Sequence, residues 1–211
     1  MKRSLTDILS RIISIVFYPL FVPTYGMALF CYGLSLRVPP LPSIYWTVGI
    51  IGTFVFTCFI PMSIILYMLY RKQVKDLDMS DPKERQTPYL YAICGFAAWA
   101  VFIAEVMKMP SCMLWTAIGA TIVLVIVSLI NRKWKISAHS AGIGGMVGGV
   151  MSFCLFYSLL PIGLIMASFA VSLLILYARL QANAHTPLQV VAGYLLGIFG
   201  TFLPNLIVSY A

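Results

Sequence analysis

Two histidines are the whole histidine complement of this 211-residue chain, and each lies near residues that could bind an anion. His185 follows Arg179 by six residues in the stretch ARLQANAHTPLQ, and His139 follows Ser137 by two residues in ISAHSAG. Arginine offers a planar fork of donors that matches phosphate oxygens, and histidine titrates near neutrality. These residue types suggest a site where a phosphate group is bound and transferred.

Three predicted helix starts could bring these residues together. Thr186 followed by proline pairs a capping residue with a residue suited to the first helical position, and Thr87 followed by proline repeats this pattern beside Arg85. Ser137 is the expected cap of a third helix. Helix N-termini attract anions, so their convergence would make an anion pocket. The alternative is that each basic residue only faces water or lipid headgroups at a helix end.

The elements that must position these residues are membrane-spanning helices. The chain is 61% hydrophobic and 9% charged, whereas a soluble domain carries roughly 25% charged residues. A span needs about 20 apolar residues, and seven segments qualify: 12–36, 44–70, 88–107, 111–130, 138–158, 160–178 and 187–208. We therefore predict an all-α polytopic bundle of six to seven spans, with residues 1–211 forming a single domain. The five cysteines are expected to be small buried hydrophobic residues.

Basic residues are divided unequally between the two faces that seven spans define. Twelve of the fourteen lie on the face with the N-terminus and the loops 71–87, 131–137 and 179–186, against Arg37 and Lys108 opposite. The positive-inside rule makes the rich face cytoplasmic. We expect a multi-pass protein of a bacterial inner membrane, with its candidate site on the cytoplasmic side. The net charge of +8 lies beside apolar spans, so no nucleic-acid partner is expected.

The same residues resemble the motifs of a known family, the type 2 phosphatidic acid phosphatases. That family carries three signatures: K-x6-R-P, P-S-G-H and S-R-x5-H-x3-D. Here ERQTPY resembles the end of the first through Arg85, and ISAHSAG resembles the second through Ser137 and His139. ARLQANAHTPLQ resembles the third through Arg179 and His185. The likeness covers roughly residues 70–200 and includes the order of the motifs.

The resemblance implies a lipid phosphatase that needs neither metal nor cofactor. His185 would attack phosphorus to form a phosphohistidine, and His139 would protonate the leaving lipid alkoxide. Arg85 and Arg179 would hold the phosphate oxygens, together with Ser137. The substrate would be a lipid phosphate monoester or diphosphate whose tails reach the site sideways from the bilayer. The lysine of the first signature falls on an aspartate, so Lys75 or Lys83 would take its place.

Gln189 is the main departure from the family pattern, because it stands where the third signature has its aspartate. An acid there would orient the nucleophilic imidazole and stabilise its charged form, as in a catalytic triad. Gln189 also completes a capping-box pattern with Thr186. Three readings stay open: a working phosphatase, a phosphotransferase using the same histidine, and a weakened lipid-phosphate binder or transporter.

Two further motifs have alternative interpretations. The cluster of Asp76, Asp78 and Asp81 could bind Mg²⁺ with a diphosphate, or it could be a solvated acidic stretch. Glycines spaced by four residues, at 144/148, 145/149 and 193/197, predict close packing of the fifth and seventh spans. Glu105 is expected to pair with Lys108 at a helix end.

Overall fold

The structure is a computed structural model, and it describes residues 5–35, 42–75, 84–157 and 162–210. The described residues form helices and their connections, with no strand among them. The helices are α1 (Leu5–Val16), α2 (Val22–Ser35), α3 (Ser43–Phe54), α4 (Ile60–Tyr70), α5 (Gln86–Val101), α6 (Ser111–Ile130), α7 (Ala138–Tyr157), α8 (Ile162–Gln181) and α9 (Pro187–Tyr210). A π-helical turn, Val55–Phe59, joins α3 to α4, and a second one, Phe102–Val106, ends α5.

Six helices within the described ranges are long and apolar enough to cross a membrane. They are Ser43–Tyr70, Gln86–Val106, Ser111–Ile130, Ala138–Tyr157, Ile162–Gln181 and Pro187–Val208. The prediction of an all-α polytopic bundle is confirmed. The third predicted span begins at Gln86 instead of Pro88, and Arg85 rather than Thr87 occupies the cap position, without a side-chain capping bond.

The first predicted span, 12–36, is wrong as a single helix, because the chain breaks between α1 and α2. Pro19 lies in this break, and proline cannot continue a helix because it lacks an N–H and its ring clashes with the preceding turn. Pro23 is tolerated because it lies at the start of α2. The 14 residues of α2 extend about 21 Å, less than the roughly 30 Å of a bilayer core.

Helix α1 buries Ser10 against the bundle and turns large apolar side chains outward. Ser10 is 3% exposed, whereas Leu5 and Ile15 are 73% and 68% exposed. In a soluble protein this arrangement would be inverted. It suits a helix whose outer face meets lipid and whose polar face contacts a polar site, and α1 packs against α8 near that site.

Helix α7 lies at the centre of the bundle and packs closely against α9. It has the largest buried share of the six long helices. A Cβ at Gly144 or Gly197 would run into the carbonyl oxygen of Tyr194 or Ala141 on the other helix. Glycine is therefore required where the backbones meet, and the predicted glycine-mediated packing is confirmed.

Two smaller predictions can also be compared with the structure. Glu105 and Lys108 pair at 2.9 Å, as expected, and both side chains are exposed. The five cysteines are free thiols; four are buried and Cys94 is exposed.

Candidate functional site

A cavity of about 420 Å³ brings together four of the eight predicted site residues. Its polar end consists of Arg85, Lys135, His139, Arg179 and His185. These residues come from the starts of α5, α7 and α9 and from the last turn of α8. The three predicted helix starts therefore converge at one end of the bundle.

His185 lies in the connection before α9 and is half-buried. Its Nδ1 lies 3.1 Å from the carbonyl oxygen of Lys135. The pKa of His185 is lowered to about 4, mainly by burial and also by the charges of Arg179 and Lys135. The hydrogen bond that its ring donates to the Lys135 carbonyl and the nearby Gln189 act in the opposite direction. At neutral pH the imidazole is therefore uncharged, which is the form of histidine that can act as a nucleophile.

Gln189 caps helix α9 and lies beside His185. Its Oε1 accepts a hydrogen bond from the Thr186 N–H at 3.1 Å, and its own N–H donates to Thr186 Oγ1 at 3.4 Å. This reciprocal pair is a capping box at the start of α9. Gln189 also lies close enough to His185 to raise the pKa of that imidazole. The glutamine thus reaches the histidine without bringing a charge.

His139 is buried in the first turn of α7 and contacts the N-terminal part of the chain. Its Nε2 lies 3.1 Å from the carbonyl oxygen of Ser14, and its ring packs edge-on against Tyr18 at 5.6 Å. A carbonyl can only accept a hydrogen bond, so Nε2 carries the proton and Nδ1 the lone pair in this arrangement.

Arg179 and Arg85 are both 7% exposed, and each donates to a neutral oxygen at the polar end. Arg179 Nη1 donates to Ser14 Oγ at 3.1 Å, and that hydroxyl in turn donates to the Ser10 carbonyl at 2.8 Å. Arg85 Nη1 donates to Asn131 Oδ1 at 3.0 Å. Guanidinium groups that line a cavity suit the binding of an anion such as phosphate.

Asn131 accepts one hydrogen bond from Arg85 and is itself held by two others. It is 2% exposed, and its Nδ2 donates to Tyr89 Oη at 3.2 Å and to the Val127 carbonyl at 3.1 Å. With both amide hydrogens used in this way, Oδ1 must be the atom that faces Arg85.

The remaining predicted phosphate ligands do not line the cavity. Ser137 is fully buried, and its hydroxyl accepts hydrogen bonds from the N–H and the hydroxyl of Ser140, at 3.3 and 2.9 Å. It is the cap of α7, as expected, but not a cavity residue. Lys75 is exposed and pairs with Glu84 at 3.5 Å. Lys83 and the three aspartates at 76, 78 and 81 lie outside the described residues.

Sequence reasoning did not select Lys135, Asn131 or Ser14 as site residues. Lys135 lines the cavity beside His185, while Asn131 and Ser14 contact the two arginines. Lys135 lies among three cations in NRKWK, and its proximity to Ser137 was the available signal. Ser14 is 165 residues from Arg179 along the chain, and no local pattern marks it.

The cavity continues away from its polar end between α2, α5, α6 and α7. Most of its wall there is apolar, with Phe30, Phe96, Trp99, Met113 and Gly149 among the lining residues. We call this part the apolar shaft. Within the described part of the chain, no cluster of three or more His, Cys, Asp or Glu could hold a metal ion.

Comparison with known proteins gave no match: no family model, no curated protein and no solved structure is similar to this chain.

Proposed function

We propose that this chain is an integral-membrane lipid phosphatase that forms a phosphohistidine on His185. One observation carries the proposal: both histidines and two buried arginines line one end of a cavity whose other walls are mostly apolar. During phosphoryl transfer the negative charge is spread over the phosphate oxygens. Positioning of the reactants and fixed positive groups therefore supply most of the catalysis. The apolar shaft supports a lipid as the molecule that carries the phosphate.

In the proposed reaction His185 Nε2 attacks phosphorus, and the bond from phosphorus to the lipid oxygen breaks. Arg85 and Arg179 hold the phosphate oxygens, and their charge stabilises the transition state. His139, protonated when an anion is bound beside it, gives its proton to the leaving alkoxide. Water then attacks the phosphohistidine, releasing inorganic phosphate, and its proton returns to the site. Lys135 adds a third positive group next to the nucleophile.

The experiment that tests this proposal is phosphate release from a panel of lipid phosphates by the purified protein. Wild type should release phosphate and form an acid-labile phosphoprotein, whereas His185→Ala should do neither. Lys75→Ala is a matched control, because Lys75 lies outside the cavity. Equal release by wild type and His185→Ala would remove His185 as the nucleophile.

A second candidate function is a lipid-phosphate binder or transporter with little turnover. The absence of charge on Gln189 favours it, because a neutral partner cannot stabilise a cationic imidazole. Gln189→Asp separates the two functions. A large gain in release would indicate a weakened phosphatase, whereas bound lipid phosphate without release by either protein would favour the binder.

We also propose that the polar end faces the cytoplasm, because the basic residues at positions 71, 72, 75, 132, 133 and 135 belong to loops at that end. Helix α9 begins at this end and runs to the opposite one. A reporter active on only one side of the membrane, fused after the C-terminus, should therefore be located on the non-cytoplasmic side. A cytoplasmic reporter would reverse the orientation.

A further inference from the structure

The apolar shaft has a use beyond making the site hydrophobic. We propose that it binds the hydrocarbon chain of a single-chain lipid phosphate, so that the tail lies inside the bundle and not in the surrounding bilayer. This inference rests on the proposed function, and it goes beyond the expectation that the tails reach the site sideways from the bilayer, because it places one tail inside the bundle.

The depth of the cavity matches a long chain. On α5 the lining runs from Arg85 to Trp99, and on α6 it runs from Val127 to Met113. Fourteen residues of helix correspond to about 21 Å. A volume of about 420 Å³ over this depth is long and narrow, and it lies toward the lower end of the roughly 300–1,000 Å³ that holds one drug-sized ligand. One chain fits this shape, and two long chains side by side do not.

Among the described residues, the threonine hydroxyls that line the far part of the shaft are satisfied within the protein. Thr116 Oγ1 donates to the Cys112 carbonyl at 2.7 Å, and Thr201 Oγ1 donates to the Gly145 carbonyl at 2.9 Å. Hydroxyls that are satisfied by backbone carbonyls leave their methyl groups to the cavity. A dry apolar wall favours a hydrocarbon chain over water.

The positive charge at the polar end selects for ligands that carry an anionic group as well as an apolar chain. Arg85, Arg179 and Lys135 are at the polar end, and the shaft continues directly from them. A ligand that satisfies both parts has a phosphate at one end and one chain at the other, such as an alkyl, prenyl or lysolipid phosphate. Phosphate binding at the polar end orients the chain toward Trp99.

Trp99 provides a direct readout, because it is 5% exposed and lines the far part of the shaft. A variant that keeps Trp99 while Trp46, Trp115 and Trp134 become phenylalanine would be reconstituted in nanodiscs. Dodecyl phosphate brominated at its chain end should quench Trp99 fluorescence, since bromine quenches on contact. Brominated diacyl phosphatidylcholine in the nanodisc is the control, and it should leave Trp99 unquenched. Quenching by the control but not by the alkyl phosphate would overturn the proposal.

A matched pair of substitutions on α5 tests the same point by selectivity. Ala92 lines the shaft, whereas Ala97 is exposed on the outer side of the same helix. Ala92→Leu should weaken dodecyl phosphate binding about tenfold by filling the shaft, leave butyl phosphate binding unchanged and shift the preference to short chains. Ala97→Leu should change neither. If Ala92→Leu fails to fold, Ala120→Leu fills the opposite wall.

The outcomes separate the two proposals. Quenching without phosphate release would support the tail site and reject the phosphatase. The opposite result is phosphate release without quenching, in which Ala92→Leu and Ala120→Leu both behave like Ala97→Leu. It would reject the tail site and leave the phosphatase proposal intact.

Discussion

Nδ1 of His185 lies 3.1 Å from the carbonyl oxygen of Lys135. The carbonyl can only accept, so Nδ1 carries the proton and the lone pair is on Nε2. In a catalytic triad a carboxylate fixes the tautomer in this way. The Lys135 carbonyl fixes the same tautomer and so orients the ring for nucleophilic attack. It carries no negative charge, so it does not raise the basicity of the imidazole as a carboxylate would. Gln189 is a second neutral group beside the ring.

The first prediction concerns the protonation of His185. With its pKa lowered to about 4 by burial, its ring should remain neutral and Nδ1-protonated throughout the neutral range. Ring resonances in an NMR titration check this, and His139→Gln assigns them because the chain has only two histidines. A midpoint at 6.5 or above would contradict the buried, cation-flanked environment.

The same pKa gives the sign of a stability change. Between pH 6.5 and about 4 the unfolded chain binds the His185 proton and the folded chain does not, so protons favour unfolding in this window. The contribution of His185 to stability is therefore complete above pH 6.5 and declines as pH falls toward 4. His185→Phe should flatten this decline in a thermal-unfolding series.

The second prediction concerns Ser14, which contacts two residues of the polar end. Its hydroxyl accepts from Arg179 Nη1 at 3.1 Å, and a phosphate oxygen would have to replace it there. Ser14→Ala should therefore tighten the binding of orthovanadate, a phosphate mimic, by about fivefold. This factor corresponds to roughly 1 kcal/mol, the net contribution of one hydrogen bond. Inhibition or competition binding measures this.

Ser63→Ala is the control for Ser14→Ala, because the exposed Ser63 hydroxyl donates to the Phe59 carbonyl in the preceding turn of its own helix. It should leave vanadate affinity unchanged. Weaker vanadate binding by Ser14→Ala would show that the hydroxyl helps to hold the anion and does not compete with it.

The third prediction concerns Asn131 and the charge of Arg85. Asn131→Asp keeps the shape of the side chain and places a carboxylate at the oxygen that accepts from Arg85 at 3.0 Å. A buried ion pair would neutralise the guanidinium, so the affinity for a phosphate analogue should fall by about tenfold or more. Changes to buried charge pairs typically alter the free energy by several kcal/mol. Gln86→Glu adds the same charge beside the exposed Arg132 and should have little effect. Unchanged affinity in Asn131→Asp would remove Arg85 from the phosphate site.

Sequence patterns predicted the bundle, the glycine contact between α7 and α9, and four of the residues at the polar end. These features are local: apolar runs, four-residue spacings and helix caps each depend on neighbours along the chain. Ser14 and Asn131 could not be found in this way, since their roles depend on helices that meet from distant parts of the sequence. The break at Pro19 had a local signal, but the surrounding apolar run masked it.

The last prediction links the packing of α7 and α9 to the site. A Cβ at Gly197 would run into the Ala141 carbonyl and would lie 2.6 Å from the Gly145 nitrogen, both of which are backbone atoms that cannot move aside. Gly197→Ala should therefore force the helices apart and cost at least 1–3 kcal/mol. His139 lies in the first turn of α7 and His185 directly precedes α9. Moving the two helices apart should therefore also separate the histidines and reduce phosphate release.

Thermal unfolding in detergent measures this cost, and Gly163→Ala is the control because nothing lies within 4 Å of the Cβ that it would add. Alanine is the better helix former, so Gly163→Ala should be neutral or slightly stabilising. Gly197→Ala should lower both the unfolding temperature and the rate of phosphate release. If it unfolds at the wild-type temperature, then the two helices do not depend on this backbone contact, and the distance between the histidines must be fixed elsewhere.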